Sequence, residues 1–247
     1  SFFSSLLGGG AAEDSAEEVI FPELPTPTTG EACVQLGIEC RDRLLREAVL
    51  SSEDHGWTRL EHGRAGGEHV HLFERSSPDS PFDMVRCFCI VPSSIEAIWK
   101  VLHESLEQRK EWDDTLESLD MIEDYTGKEG IPCELAVVRT RYTAPMGVTN
   151  REFVALRSYH ILEDGAVRVL CTTSVNHAGC RLNSGYVRGS APLNGFVLKA
   201  QPDGTTQVCT VAQVDPRGMI PAFVVNLFKK KTADRMLSLC ARAKRYE

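Results

Sequence analysis

The chain has 247 residues, 42% of them hydrophobic, and a formal net charge of −8. That length holds one large domain or two small ones with a sizeable core. The acidic balance argues against nucleic acid as the main partner, because phosphate binding needs a basic face. No apolar run approaches the length that spans a membrane.

Residues 1–30 are rich in Gly, Ser, Glu, Pro and Thr and read as a disordered leader and linker. Residues 31–247 read as one folded domain. Phe2, Phe3, Leu6 and Leu7 have the look of a targeting remnant, and the start at Ser1 suggests a fragment or a processed form. Glu31 to about Ser52 carries Cys33, Leu36, Cys40, Leu44 and Ala48 at helical spacing. Short strands are expected near 57–62 and 69–75, a turn at 76–81 and a strand at 84–91. A helix follows with Ser94 as its N-cap and Ile95, Ile98, Trp99, Leu102 and Leu106 along it. Six strands are expected near 116–125, 133–142, 152–162, 166–176, 184–199 and 206–215, divided by Gly-containing turns. That rhythm suggests an antiparallel meander.

The stretch from Asp215 to Asn226 ends the strands. Gly218 releases the backbone, and Pro221 suits the first turn of a helix because its missing N–H would be unpaired there. Apolar residues at 220, 223, 224, 227, 228, 233, 236, 237 and 240 trace one helical face for about six turns. The predicted fold is α+β: a curved antiparallel sheet of about nine strands under a long C-terminal helix. The ligand is expected between the two.

Nine cysteines (33, 40, 87, 89, 133, 171, 180, 209 and 240) are odd in number and scattered. They form no CxxC pair and read as reduced core residues in a reducing compartment. There is no Gly-x-Ser-x-Gly and no convincing nucleophile–base set. His69 and His71 share a strand face but make a poor metal pair. No catalytic residue, metal or cofactor is assigned.

Four stretches carry a family resemblance. They are Arg109-Lys110-Glu111-Trp112-Asp113; Pro145-Met146 with Asn150-Arg151-Glu152-Phe153-Val154; Ser184-Gly185-Tyr186-Val187-Arg188; and Asp215-Pro216-Arg217-Gly218-Met219-Ile220-Pro221. In this order and spacing, residues 33–245 resemble the START domain, the steroidogenic-acute-regulatory-related lipid-transfer family. The nearest likeness is to its phosphatidylcholine-transfer branch. The resemblance implies a helix-grip fold, a U-shaped sheet wrapped on the C-terminal helix around a tunnel for one lipid. It implies lipid binding and intermembrane transfer by a monomer, with a phospholipid (phosphatidylcholine or phosphatidylinositol) and a transient membrane surface as partners. The expected location is the cytoplasm, with a secreted or vacuolar one open. The physical need is large. At about 0.8 kcal/mol per CH₂, two chains with about thirty methylenes cost on the order of 24 kcal/mol to expose to water.

Strand parity sorts residues 153, 155, 157, 159 and 161 onto one face and their neighbours onto the other. The resemblance places Phe153 and Val138 at ligand-facing positions. Phe153, Ala155, Arg157 and Tyr159 then face inward, and so does Glu134. Ile220, Phe223, Val224 and Leu227 form the inner stripe of the helix. The resemblance further implies that Arg109 meets the lipid phosphate with Asp113 in support and Trp112 beside them. A planar guanidinium suits paired phosphate oxygens. It also implies that Glu134 and Arg157 pair in the tunnel wall, or that Arg157 meets the ligand's polar group. Val138 and Phe153 stand where that branch has aromatic residues around choline, so a broader headgroup tolerance is expected. The hairpin Ala144-Pro145-Met146-Gly147-Val148 is expected as a membrane-touching gate. Lys229, Lys230 and Lys231 are expected near anionic headgroups. A lipid-sensing module and a helix-grip enzyme are the rival readings.

Overall fold

The structure, a computed structural model, describes residues 21–49, 56–60, 70–77, 80, 82–145, 147–220 and 222–247. Helix α1 (Gly30–Ala48) starts where the Thr29 side chain accepts a bond from Ala32 N, relieving one unpaired amide of the first turn. It buries Cys33, Gly37, Cys40, Leu44 and Ala48. Strands β1 (Thr58–Leu60), β2 (His71–Arg75) and β3 (Met84–Val91) follow. Helix α2 (Ile95–Leu102) is capped by Ser94, as expected, and α3 (Leu106–Lys110) by a reciprocal Ser105–Gln108 capping box. Then come β4 (Leu116–Asp124), β5 (Glu134–Tyr142), β6 (Asn150–Leu162), β7 (Val167–Ser174), β8 (Tyr186–Arg188), β9 (Ser190–Ala200), β10 (Thr206–Asp215) and helix α4 (Ala222–Ala243).

The strands form one ten-stranded sheet in the order β1-β2-β3-β10-β9-β7-β6-β5-β4, with β8 attached to β6. The single strand expected at 184–199 is therefore two. β8 runs parallel to β6, the one parallel pair in an otherwise antiparallel sheet. Gly189 permits the break. Its N–H donates to Glu152 O at 2.9 Å, and a Cβ there would sit 2.4 Å from the Phe153 ring. A second clamp holds β8. Glu152 is fully buried and accepts from Arg188 Nη2 at 2.7 Å and from Arg141 Nε at 2.8 Å.

The two faces of the sheet differ. On the convex face, Val154, Leu156, Val169, Cys171, Leu193 and Val211 are sealed in cores that include buried residues of α1. On the concave face, Ala233, Met236, Leu239, Cys240 and Ala243 of α4 pack with Cys87, Cys89, Leu170, Leu198, Val208 and the apolar side of α2. All nine cysteines are free thiols.

Residues 21–29, assigned to the leader by sequence, lie against the domain. The Asn176 side chain accepts from Phe21 N at 3.0 Å and donates to Leu24 O at 3.0 Å. Residues 1–20, His69, Met146 and Pro221 lie outside the described residues, as do the side chains of Phe223 and Leu227. Ile220 does not open the helix, which begins at Ala222. Asp215 Oδ1 caps Arg217 N at 2.8 Å, and Arg217 and Gly218 both take positive φ, +50° and +67°. That pair of left-handed residues turns the chain before the helix starts.

Candidate functional site

Register lays Ala136, Arg157, Thr172, Asn194, Ala212 and Val85 in one row across the concave face. The next row holds Glu134, Tyr159, Leu170, Phe196, Thr210 and Cys87. Phe153, Ala155, Arg157 and Tyr159 alternate along β6 and share this face. Tyr159 joins the core beneath α4, and Val138 stands directly across from Ala155. Val138 and Ala155 are buried, and Val224 of α4 is fully buried.

The concave face is only partly filled. Leu198, Val208 and Cys89 are completely sealed under the C-terminal half of α4. Thr140, Tyr142, Phe153, Arg157, Thr172 and Asn194 point the same way from interior strands, yet each keeps partial accessibility. In a solid core such mid-sheet positions would be sealed, as Val154, Leu156, Val169, Cys171, Leu193 and Val211 are on the convex face. Two surface depressions of about 340 and 310 Å³ lie at the β1–β2 edge and where β6 outruns β5. Neither is on this part of the concave face.

Into this open part reach several polar groups. Asp113 is buried and accepts from Thr115 N at 3.3 Å and Thr115 Oγ1 at 2.7 Å. Its second oxygen faces Arg235 Nε of α4 at 3.4 Å. The ionic contact of Asp113 thus comes from Arg235 of α4 and not from Arg109. Arg109 makes no side-chain hydrogen bond or ion pair among the described residues, and its Nε is buried without a partner. Trp112 Nε1 donates to Glu104 Oε2 at 2.8 Å, which anchors the indole in a buried cluster with Arg242 and Tyr246.

Arg157 repeats the pattern of Arg109. Its Nε is buried and unbonded, with the guanidinium 5.5 Å from the Tyr159 ring centre. Glu134 does not pair with it. That carboxylate is exposed and lies 3.4 Å from His103 Nε2. The reason is position: Glu134 begins β5 opposite Tyr159, one row beyond Arg157. Burial pushes the Tyr142 and Tyr159 hydroxyls up. The charges of Arg235, Asp113 and Arg109 also act on Tyr142, and those of Arg157, Arg109 and Glu134 on Tyr159. Arg109 therefore neighbours both ends of the set.

The loop of residues 144–148 is pinned at its base and open at Gly147. Ala144 N donates to Asn150 Oδ1 at 3.0 Å, and Asn150 Nδ2 donates to Glu117 Oε2 at 3.1 Å. Gly147 is exposed, has φ of +86°, and has no neighbour within 4 Å of where a Cβ would stand. Ala144, Pro145 and Val148 are half-buried. Arg151 fastens this loop to the one before α4. It donates to Thr149 O, to Pro216 O at 3.1 Å and to Arg217 O at 3.0 Å. Met219, in the fastened loop, is 98% exposed. Two of the three lysines on α4 are already paired, Lys229 with Glu74 and Asp83, Lys231 with Asp114. Lys230 is left exposed.

Sequence reasoning missed Arg235. A signal was present: Lys231, Arg235, Ser238 and Arg242 recur at helical spacing, and the acidic residues 104, 111, 113 and 114 meet that ridge. Ser158, His160 and Cys171 form a bonded set, with Ser158 Oγ 3.0 Å from His160 Nε2 and 3.1 Å from Cys171 Sγ. It is sealed on the convex face, away from α4. No cluster of metal-binding side chains occurs among the described residues, and none of their helices is long and apolar enough to cross a membrane.

A sheet gripping a long helix over a half-open concave face defines a class, and comparison with known proteins agrees. The START domain family model matches residues 38–239. The chain belongs to the START domain family. Human START domain-containing protein 10 is 27% identical over 210 residues, covering 83% of this chain. The mouse protein of the same name is 26% identical over 210 residues. The chain spans 66% of the length of these relatives. Human StAR-related lipid transfer protein 5 has a similar structure, with a TM-score of 0.74 at 25% identity over 88% of this chain and 99% of that one. Human STARD10 shares the fold, with a TM-score of 0.66 at 22% identity over 92% and 84% of the two chains.

Proposed function

We propose that this domain binds one phospholipid between the concave face and α4 and carries it between membranes. The observation that supports this most is the divided concave face. An interior surface with unbonded guanidiniums beside apolar walls suits a molecule that is polar at one end and apolar for the rest of its length. Membership in the family, and the likeness to a structure named for lipid transfer, point the same way.

In this reading Val138, Phe153, Ala155, Tyr159 and Val224 line the acyl tunnel, with Ile220 at its entrance. Arg109 and Arg157 bind the phosphate, each offering paired N–H donors. Asp113 positions the site through Thr115 and Arg235, Trp112 backs Arg109, and Glu134 stays at the rim. Residues 144–148 and Met219 meet the bilayer. Their common attachment to Arg151 makes them move as one unit. The lipid leaves chemically unchanged, so the domain acts as a carrier rather than an enzyme. It works from the aqueous side of a membrane and as a monomer.

Transfer of a fluorescent phospholipid between donor and acceptor vesicles tests the proposal. Wild-type protein should accelerate exchange in proportion to its concentration. Binding without exchange would favour a sensor, and release of a hydrolysed lipid would favour an enzyme.

A further inference from the structure

Three guanidiniums share the polar end of the concave face: Arg109, Arg157 and Arg235. Arg109 and Arg157 each have a buried Nε with no hydrogen-bond partner, whereas Arg235 donates from Nη2 to Thr115 Oγ1 at 3.2 Å and its Nε faces Asp113 Oδ2 at 3.4 Å. Each stands over an aromatic ring, Trp112 at 5.7 Å, Tyr159 at 5.5 Å and Tyr142 at 5.6 Å. Stacking occupies the flat face of a guanidinium and leaves its edge donors free. A buried cation that cannot lose its proton and lacks a hydrogen-bond partner is costly by itself. Arg109 acts on Tyr142 together with Arg235, and on Tyr159 together with Arg157, so the three positive charges gather at one end of the face, two of them with free donors that suit an anion.

The negative charge available within the protein is small. At this end of the concave face Asp113 is the one buried carboxylate among the described residues, and two of its bonds come from Thr115. Glu134 is exposed and turned to His103. Positive charge therefore exceeds negative charge in the wall. A zwitterionic headgroup would bring a further cation into this surface.

We propose that the domain selects anionic phospholipids, whose headgroup carries net negative charge and no ammonium, over zwitterionic ones, with Arg235 of α4 as a specificity-determining residue. This rests on the carrier reading above. Arg235 binds only when α4 is closed, so an anionic headgroup also ties the closing helix to the sheet.

The test uses the full chain and mixed vesicles holding equimolar dioleoyl phosphatidic acid and dioleoyl phosphatidylcholine. One mixed surface cancels any difference in docking. The protein is re-isolated and its bound lipid measured by mass spectrometry. The expected result is an excess of phosphatidic acid of about tenfold or more, since one added charge-assisted contact is worth that much. Arg235→Gln should lower the ratio while the circular dichroism spectrum is unchanged, and Arg235→Lys, which keeps the charge, should restore much of it. Equal recovery, or an excess of phosphatidylcholine, overturns the selectivity and leaves the carrier reading standing. Recovery of neither lipid overturns both. Glycerol 3-phosphate displacing the lipid at equal concentration would show that the site reads a free phosphate, and would also overturn the proposal.

Discussion

Arg235 Nε lies 3.4 Å from Asp113 Oδ2, so the closing helix meets the buried carboxylate that the α3 segment contributes to the polar end. Arg109 has no ionic partner among the described residues, and its buried Nε makes no hydrogen bond. The two residues should respond differently to removal. Asp113→Ala strips bonds from Thr115 and a counterion from Arg235, and should cost about 2–3 kcal/mol in denaturant unfolding. Arg109→Ala removes an unbonded cation and should change stability by less than about 0.5 kcal/mol. In the vesicle assay Arg109→Ala should nonetheless slow phospholipid transfer by about tenfold or more. A stable Arg109→Ala protein with full transfer would remove this residue from the headgroup site.

Arg151 joins two loops through the carbonyls of Thr149, Pro216 and Arg217. Arg151→Met keeps the apolar stem and loses those bonds. At about 1 kcal/mol per bond, unfolding should become easier by about 3 kcal/mol. Hydrogen exchange should speed up at residues 147–149 and 217–219 together. Faster exchange in one loop alone would show that they move independently.

Met219 is exposed and fixed close to the gate by the same clamp. Met219→Asp should leave the melting temperature within the range of an ordinary surface change, about 0.5 kcal/mol. It should reduce sedimentation with vesicles and slow transfer, because an aspartate resists entry into the lipid interface. Unchanged sedimentation would place the membrane contact elsewhere.

Glu104 sets an acid limit on the domain. Burial works against its carboxylate, but bonds from Arg242, Tyr246 and Trp112 outweigh burial and hold it below the usual carboxylate range. A carboxylate that titrates lower when folded adds stability above its unfolded value. It loses that stability as pH falls through the folded value. Asp83 behaves likewise, held down first by its bond from Lys229. Melting temperature should therefore drop on acidification below about pH 4. Glu104→Gln should lower stability at neutral pH by about 3 kcal/mol and flatten the acid limb. A wild-type curve flat through that range would contradict the assignment.

The fold was largely legible because its periods are clean. The strand at Met84–Val91, the Ser94 cap and the strand at Thr206–Asp215 stand where expected. The break at Gly189 was not legible. It depends on how close the Phe153 ring comes, a contact distant in sequence. In the site, strand parity sorted the residues of β6 into two faces, and the resemblance at Phe153 chose between them. Pairings between elements were harder. Whether Arg157 meets Glu134, or Asp113 meets Arg235, depends on register and helix rotation, and residues up to 122 positions apart decide it. The lysine run shows the same limit. Lys229 and Lys231 read as free surface charge until Glu74, Asp83 and Asp114 are brought to them.

Native mass spectrometry of the purified domain, with extraction and identification of whatever it retains, tests the central claim most directly. The account predicts one phospholipid per chain, released when α4 is opened by mild denaturation. A ligand-free protein that also takes up no lipid from vesicles would contradict it.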